Sequence, residues 1–377
     1  MHYKELDIND EKTFEVVVVA TMSSGKSTLV NALIGDDILP SRNEACTART
    51  TMICDNDKSK DITIHMIDEG DNYKKIVGGN ADIIEQYNDS KVKSLILECD
   101  ITGIRNLKKS LVLVDTPGTN NNNDKTHEEI TLDYIEKLDD GMILFVLDAT
   151  HTETEDEKRL LEVVRDKIAS NSEIKIIFVI NKFDEVDFEK ESPFDFVERR
   201  RKYLSKVGFN DFDIVTLSAQ AAKIFKKMLK GRELSKMERF NLSSYYELFK
   251  GEGTNFKNYT RRKNEEDRRE EIAVNGKTYT RGGIISALDN TGILNLEELI
   301  EERMIDDCLF RSNRIKKVKE EEDKTSVIGK STTDIPAASY MPLIRVTNGI
   351  IGVLSAKGNI NKEKSISENM KKIKNNK

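Results

Sequence analysis

Short apolar runs separated by amphipathic stretches dominate the first two thirds of the chain. Residues 14–20, 111–115, 142–148, 174–180 and 213–218 are rich in Val, Ile, Leu and Phe, the pattern of strands covered on both faces. The more alternating segments 62–67 and 95–101 predict two further strands, with a short helix over 82–87 between them. Elsewhere apolar residues recur at helical spacing, as in Ile130, Tyr134 and Leu138, and in Leu160, Val164 and Ile168. Thr126 with Glu129 and Thr152 with Glu155 have the capping-box spacing that would start those two helices. A last helix, with Leu296, Leu299, Ile300 and Met304 on one side, is predicted to start after Asn295 and to close the body. This alternation predicts an α/β fold, a doubly wound and mostly parallel sheet with extra strands.

Between residues 222 and 291 the alternation breaks down. The charged run 261–271 and the Asn275-Gly276 hairpin signal predict a helical and hairpin insertion there. The expected organisation is a domain over residues 1–310 and a tail over 311–377, partly helical or disordered, with one apolar island at 341–356.

Composition narrows the class. The 377 residues are 37% hydrophobic and 34% charged, too apolar for wholesale disorder and too polar for a membrane-spanning chain. The first ten residues lack the apolar run of a signal peptide, so secretion is not expected and the expected location is cytoplasmic. Cys46, Cys54, Cys99 and Cys308 are scattered without CxxC spacing, which suggests neither a disulfide framework nor a zinc site. The net charge of -7 is uneven: residues 311–377 carry 15 basic against 7 acidic residues. An acidic body argues against nucleic acid as the main ligand, while the basic tail leaves peripheral contact with an anionic membrane face open.

Chemistry concentrates at strand ends. The first strand runs into Ala20-Thr21-Met22-Ser23-Ser24-Gly25-Lys26-Ser27-Thr28 and then a helix, which is a phosphate-binding loop with Ala20 in place of the usual first glycine. Its amides would face a β-phosphate, with Ser23, Ser24, Gly25 and Thr28 lining the nucleotide. Lys26 would neutralise β- and γ-oxygens and Ser27 would reach Mg²⁺. At Asp115-Thr116-Pro117-Gly118 another strand ends in DxxG, where Asp115 suits a Mg²⁺-bound water and the Gly118 amide a γ-phosphate. Asn181-Lys182-Phe183-Asp184 closes a further strand. A carboxylate at Asp184 can accept from guanine N1 and its exocyclic amine, which selects GTP over ATP. Lys182 would lie along the base, Asn181 would tie this loop to the phosphate side, and Ser218-Ala219 fits the last base-binding loop. Residues 39–51 offer Thr47, Thr50 and Thr51 as the threonine that meets Mg²⁺ and the γ-phosphate; Thr47 is preferred because the other two begin the next strand. Arg42 or Arg49 could serve as an internal arginine finger, although a surface arginine is the commoner role.

At these residues the sequence resembles the bacterial dynamin-like GTPases. SSGKSTLVNALIG, Ile38-Leu39-Pro40, NEACTART, LVLVDTPGTN and LFVLDAT carry the resemblance, which covers about residues 12–310. It implies hydrolysis of GTP to GDP with Mg²⁺, stimulated when two such domains meet face to face across their nucleotides, and hence a nucleotide-dependent homodimer. It carries catalytic roles onto Ser23, Lys26, Thr47 and Gly118, and metal contacts onto Ser27, Thr47 and Asp115. Ser23 would touch the β-γ bridging region or a charge-compensating monovalent cation, K⁺ or Na⁺. Thr119 follows DTPG where small GTPases carry a water-orienting glutamine, and Met22 stands where dynamins often carry a polar group. Only 67 residues follow Phe310, so the stalk function of dynamins would need a partner protein. Two readings compete with a mechanochemical or switch GTPase. One is a non-catalytic GTP-gated binding module acting through a partner. The other is a membrane-tethering protein, resting on the basic tail and its apolar island.

Overall fold

The computed structural model describes residues 13–39, 50–68, 70–79, 83–84, 92–106, 108–118, 125–189, 191–251, 255–256, 271–308, 345–347 and 350–352. The chain divides into two compact units, Met1–Arg314 and Ile315–Lys377.

The first unit is built on nine strands: β1 (Thr13–Ala20), β2 (Thr51–Asp55), β3 (Thr63–Asp68), β4 (Tyr73–Val77), β5 (Val92–Cys99), β6 (Ser110–Asp115), β7 (Gly141–Asp148), β8 (Ile174–Asn181) and β9 (Asp213–Thr216). They form one sheet in the order β4-β3-β5-β2-β6-β1-β7-β8-β9. From β6 to β9 every neighbouring pair is parallel. β2 then runs antiparallel to β6 but parallel to β5, and β3 is antiparallel to both of its neighbours, β4 and β5. The apolar runs explain the central strands, since Val16 to Val19 of β1 and Met142 to Leu144 of β7 are completely buried between two helical layers. β4 escapes sequence detection because it is an edge strand. Its residues Tyr73-Lys74-Lys75-Ile76-Val77 face water almost throughout, and lysines on an edge discourage pairing with another chain.

The helices are α1 (Lys26–Ile34), α2 (Lys125–Lys137), α3 (Glu155–Ser170), α4 (Pro193–Val207), α5 (Ala219–Leu229), α6 (Lys236–Phe249) and α7 (Arg281–Asn290), followed by α8 over residues 293–308. Two expected starts are corrected. α2 begins at Lys125, so Thr126 lies inside its first turn and is not its cap. α3 is capped by Thr154, which accepts from the Glu157 N–H at 3.2 Å, because Glu153 at φ 61° turns the chain left-handed and forbids a helix from Thr152. α8 starts two residues before Asn295, with Leu296, Ile300 and Met304 buried as the spacing requires. Of the helix expected over 82–87, only residues 83–84 are described, and they are helical.

Residues 271–280 form the hairpin β10 (Glu271–Val274) and β11 (Lys277–Thr280), turning at Asn275 and Gly276 with φ of 50° and 72°. α5 packs on α1 through an unusual seam of buried lysines. Lys223 pairs with Asp37 at 2.6 Å and with Glu238 at 3.0 Å, Lys227 pairs with Glu238 at 2.8 Å and also with Asp37, and Lys226 pairs with Glu297. The seam joins the end of α1 to α5, α6 and α8. Cys54 and Cys99 are buried free thiols, and burial pushes both up to about 12, so they are inert. In the second unit, β12 (Arg345–Thr347) and β13 (Ile350–Gly352) pair as an antiparallel hairpin within the apolar island.

Candidate functional site

The carboxyl ends of β1, β6, β7 and β8 lie along one edge of the sheet, because Val18 pairs with Asp115, Ala20 with Val146, and Asp148 with Asn181. Each sequence motif starts where one of these strands stops, and in such a sheet ligands bind in the crevice outside the carboxyl ends. The first loop turns tightly: Ser23 has φ 65° and Gly25 φ 84°. Ser24 is buried and its hydroxyl donates to the Thr21 carbonyl at 3.0 Å, so it braces the loop from within. Gly25 stands at the N-cap of α1 and supplies no side-chain acceptor, so no cap occupies the first N–H groups of α1. Thr28 is half-buried in the first turn of α1, and Ser23 and Met22 are exposed.

Lys26 and Asp115 form a buried ion pair at 2.5 Å, and the Ser27 hydroxyl donates to the other oxygen of the same carboxylate at 3.3 Å. A hydroxyl and a carboxylate this close are hard oxygen donors of the kind Mg²⁺ takes, so the pair fits that ion. Gly118 brings the two segments together again: a β-carbon there would stand 3.5 Å from Met22 Cα, which places the DTPG loop against the first loop's backbone. Thr116 anchors that approach by donating to the Val18 carbonyl at 2.8 Å.

Asn181 joins the two halves of the site. Its Nδ2 donates to the Ser24 carbonyl at 2.9 Å, and its Oδ1 accepts from the Ala219 N–H at 3.0 Å. Ser218 caps α5, accepting from the Ala221 N–H at 3.4 Å. Burial pushes the Asp184 carboxyl up, and a hydrogen bond from Ser218 opposes it. Phe183 is fully buried against Phe188, Phe196 and Phe256, which fixes the loop between its polar neighbours. Lys182, at φ 59°, donates to Asp148 at 2.7 Å.

Sequence reasoning missed two residues of this edge. Asp148 holds Lys182 in place; burial works against its charge, yet Lys182 and Thr150 donate to it and keep its carboxyl below the usual range. Asn31 of α1 accepts from the Ile38 and Leu39 N–H groups at 3.1 and 2.8 Å and donates to the Leu39 carbonyl at 2.7 Å, fixing the chain as it enters the segment holding Thr47. Asp148 had a signal, as a strand-terminal carboxylate in register with Asn181. Asn31 had none. Thr47, Arg42, Arg49, Cys46 and Thr119 lie outside the described residues.

A model of the Dynamin family matches residues 16–183, the stretch that contains the first loop, DTPG and most of NKFD. Over these residues the chain is similar to a dynamin-type GTPase domain. The chain is 31% identical over 186 residues to a bacterial dynamin-like protein of Nostoc punctiforme, covering 46% of this chain and 25% of that one. It is 28% identical over 222 residues to dynamin-like protein 2 of Campylobacter jejuni, covering 58% of this chain and 33% of that one. An uncharacterised protein of Caldicellulosiruptor is 31% identical over 247 residues, 64% of this chain and 56% of that one. The chain thus spans between a quarter and somewhat over half of these relatives' lengths. A chain of an oligomerised bacterial dynamin pair is 18% identical with a TM-score of 0.43, covering 87% of this chain and 47% of that one. The first unit has the α/β architecture of P-loop GTPases, with strands added at the β2 side of its sheet.

Proposed function

We propose that the chain binds GTP with Mg²⁺ at this strand-end crevice and hydrolyses it to GDP and phosphate. The observation that carries the reading is the convergence of Lys26 and Ser27 on Asp115, beside a first turn of α1 that no side chain caps. Those N–H groups and the Lys26 ammonium would cradle the β- and γ-phosphates, and Lys26 must exchange Asp115 for phosphate oxygens to do so. Ser27 and Asp115 would hold the ion, directly or through its water; Mg²⁺ supplies neutralisation of the charge on the bridging and terminal oxygens. The Gly118 N–H would meet the γ-phosphate from the opposite side. Asp184 would accept from guanine N1 and its amine, Lys182 would lie along the base, and Asn181 would keep base and phosphate loops in register.

Phosphoryl transfer needs mainly positioning and charge stabilisation, and these groups supply both. The attacking water would be placed by the segment holding Thr47 and by a second copy of the domain meeting the first across the nucleotide. Ser23, exposed at φ 65°, would touch the β-γ bridging region or a charge-compensating monovalent cation. We place the cycle on the cytoplasmic side, with peripheral membrane contact or a stalk-bearing partner as its target; among the described residues no helix is long and apolar enough to cross a membrane. Phosphate release from GTP and from ATP, measured against protein concentration, tests the proposal. Turnover of GTP alone, rising per molecule with concentration, is expected. No turnover at any concentration, with GTP still bound, would make the domain a GTP-gated binding module instead.

A further inference from the structure

The reversal of β2 gives the sheet a second carboxyl edge. β2 runs antiparallel to β6, with Thr51 opposite Asp115, so Asp55 lies at the other end of the strand from the nucleotide crevice. At about 3.3 Å per residue the two ends are roughly 13 Å apart. β2 is parallel to β5 and Asp55 is opposite Cys99, so the loops carrying Asp57 and Asp100 leave the carboxyl ends of two adjacent parallel strands. In the crevice geometry of α/β sheets, that is where a ligand is held.

Three carboxylates meet there. Asp55, Asp57 and Asp100 each offer an oxygen, and these oxygens lie within 4.8 Å of one another. Like charges at such separations repel, and among the described residues no lysine or arginine forms an ion pair with any of the three. Lys230 approaches from behind, but its ammonium donates to the Ile34 and Asp100 carbonyls, not to a carboxylate.

Asp55 is only half satisfied by the protein. This residue is 3% exposed; its Oδ1 accepts from the Ile101 N–H at 2.8 Å, while its buried Oδ2 has no hydrogen-bond partner. A buried carboxylate oxygen left unpaired costs the fold its full desolvation, which a bound cation would repay. Asp55 and Asp57 line a cleft with Asn56, Lys58, Glu98 and Asn106. Asn106 organises it: its Nδ2 donates to Asp57 Oδ1 at 2.8 Å and to the Asp55 carbonyl at 3.3 Å, and its Oδ1 accepts from the Leu111 N–H at 2.9 Å. Asp57 is therefore held in place before any ligand arrives.

We propose that Asp55, Asp57 and Asp100 form a binding site for a hard divalent cation at the edge of the sheet remote from the nucleotide. All donors are carboxylate oxygens, the set that selects Ca²⁺ or Mg²⁺ over softer metals. The ion would tie the β2–β3 loop to the loop after β5, bracing the mixed half of the sheet.

The test uses the full chain, chelator-treated and free of nucleotide, titrated calorimetrically with CaCl₂ and, separately, MgCl₂. One ion per chain should bind, with a rise in thermal midpoint, and the double variant Asp57→Asn with Asp100→Asn should weaken binding at least tenfold. Both positions keep their size, and the variant should retain its midpoint in chelator and its GTP turnover. A companion variant, Ser27→Ala, alters the nucleotide-side site without unpairing Lys26 and Asp115 and separates the two sites: it should leave the Ca²⁺ titration unchanged. The proposal is overturned if neither cation binds up to about 10 mM, roughly tenfold above the weakest protein calcium sites, if the double variant binds as the parent does, or if Ser27→Ala abolishes the titration.

Discussion

A β-carbon placed on Gly25 would fall on the side-chain nitrogen of Asn181. The glycine therefore serves two needs at once: φ of 84°, and room for the amide that bridges Ser24 and Ala219. Gly25→Ala is expected to displace Asn181 and separate the phosphate loop from the base loop. Nucleotide affinity should fall at least tenfold, about 1.4 kcal/mol, in a titration with a fluorescent GTP analogue. Asn181→Ala should reproduce much of that loss. Full affinity in both variants would mean the bridge does not position the site.

The Lys26 and Asp115 charges are each other's buried partners, with 8% and 3% exposure. Removing one leaves the other uncompensated, which costs about 3–5 kcal/mol in comparable pairs. Asp115→Ala and Lys26→Ala are each thus expected to lower stability strongly as well as abolish turnover, whereas the double variant of the same two substitutions should lose less stability than the sum of the two and recover none of the activity. Urea unfolding of the three variants checks this. Additive losses would show that the pair is not coupled.

Asp184→Asn places an amide donor where guanine's exocyclic amine also donates, so preference should move from GTP toward XTP, whose base carries a carbonyl acceptor at that position. Competition between the two nucleotides measures the change. If GTP keeps its margin, the NKFD loop does not read the base.

Much of this site was legible because its chemistry is local in sequence: three loops of four to nine residues, each following a buried apolar run. The parallel half of the sheet was legible for the same reason, since Val, Ile and Leu fill both faces of β1, β7 and β8. What lay hidden depends on pairing through space. β4 carries lysines on an exposed edge and shows no apolar face to find. The start of α3 was misplaced because Thr152/Glu155 and Thr154/Glu157 satisfy the same spacing, and only the left-handed Glu153 decides between them. Asn31 reads as one more polar helix residue until the chain after α1 folds back onto its amide. The Asp55 cluster needed the strand order, because Asp57 and Asp100 are neighbours only when β2 lies beside β5.

The lysine seam makes the fold sensitive to acid through Glu238. Burial alone would raise this carboxyl, but the Lys227 hydrogen bond, the Ser235 N–H and the Lys223 charge outweigh it and hold the carboxyl down at about 2. Its folded value is depressed below the ordinary 4.5, so its stabilisation is complete above 4.5 and is lost as pH falls through the window toward 2. The shift corresponds to about 3 kcal/mol at neutral pH. Glu238→Gln should lose that amount at pH 7 and leave Lys223 and Lys227 sharing Asp37 alone. Urea midpoints of parent and variant at pH 7, 5, 4 and 3 should therefore draw together as pH falls, the parent descending toward the variant. A gap of constant size across that range would show that the carboxylate's charge is not what holds α5 and α6 to the end of α1.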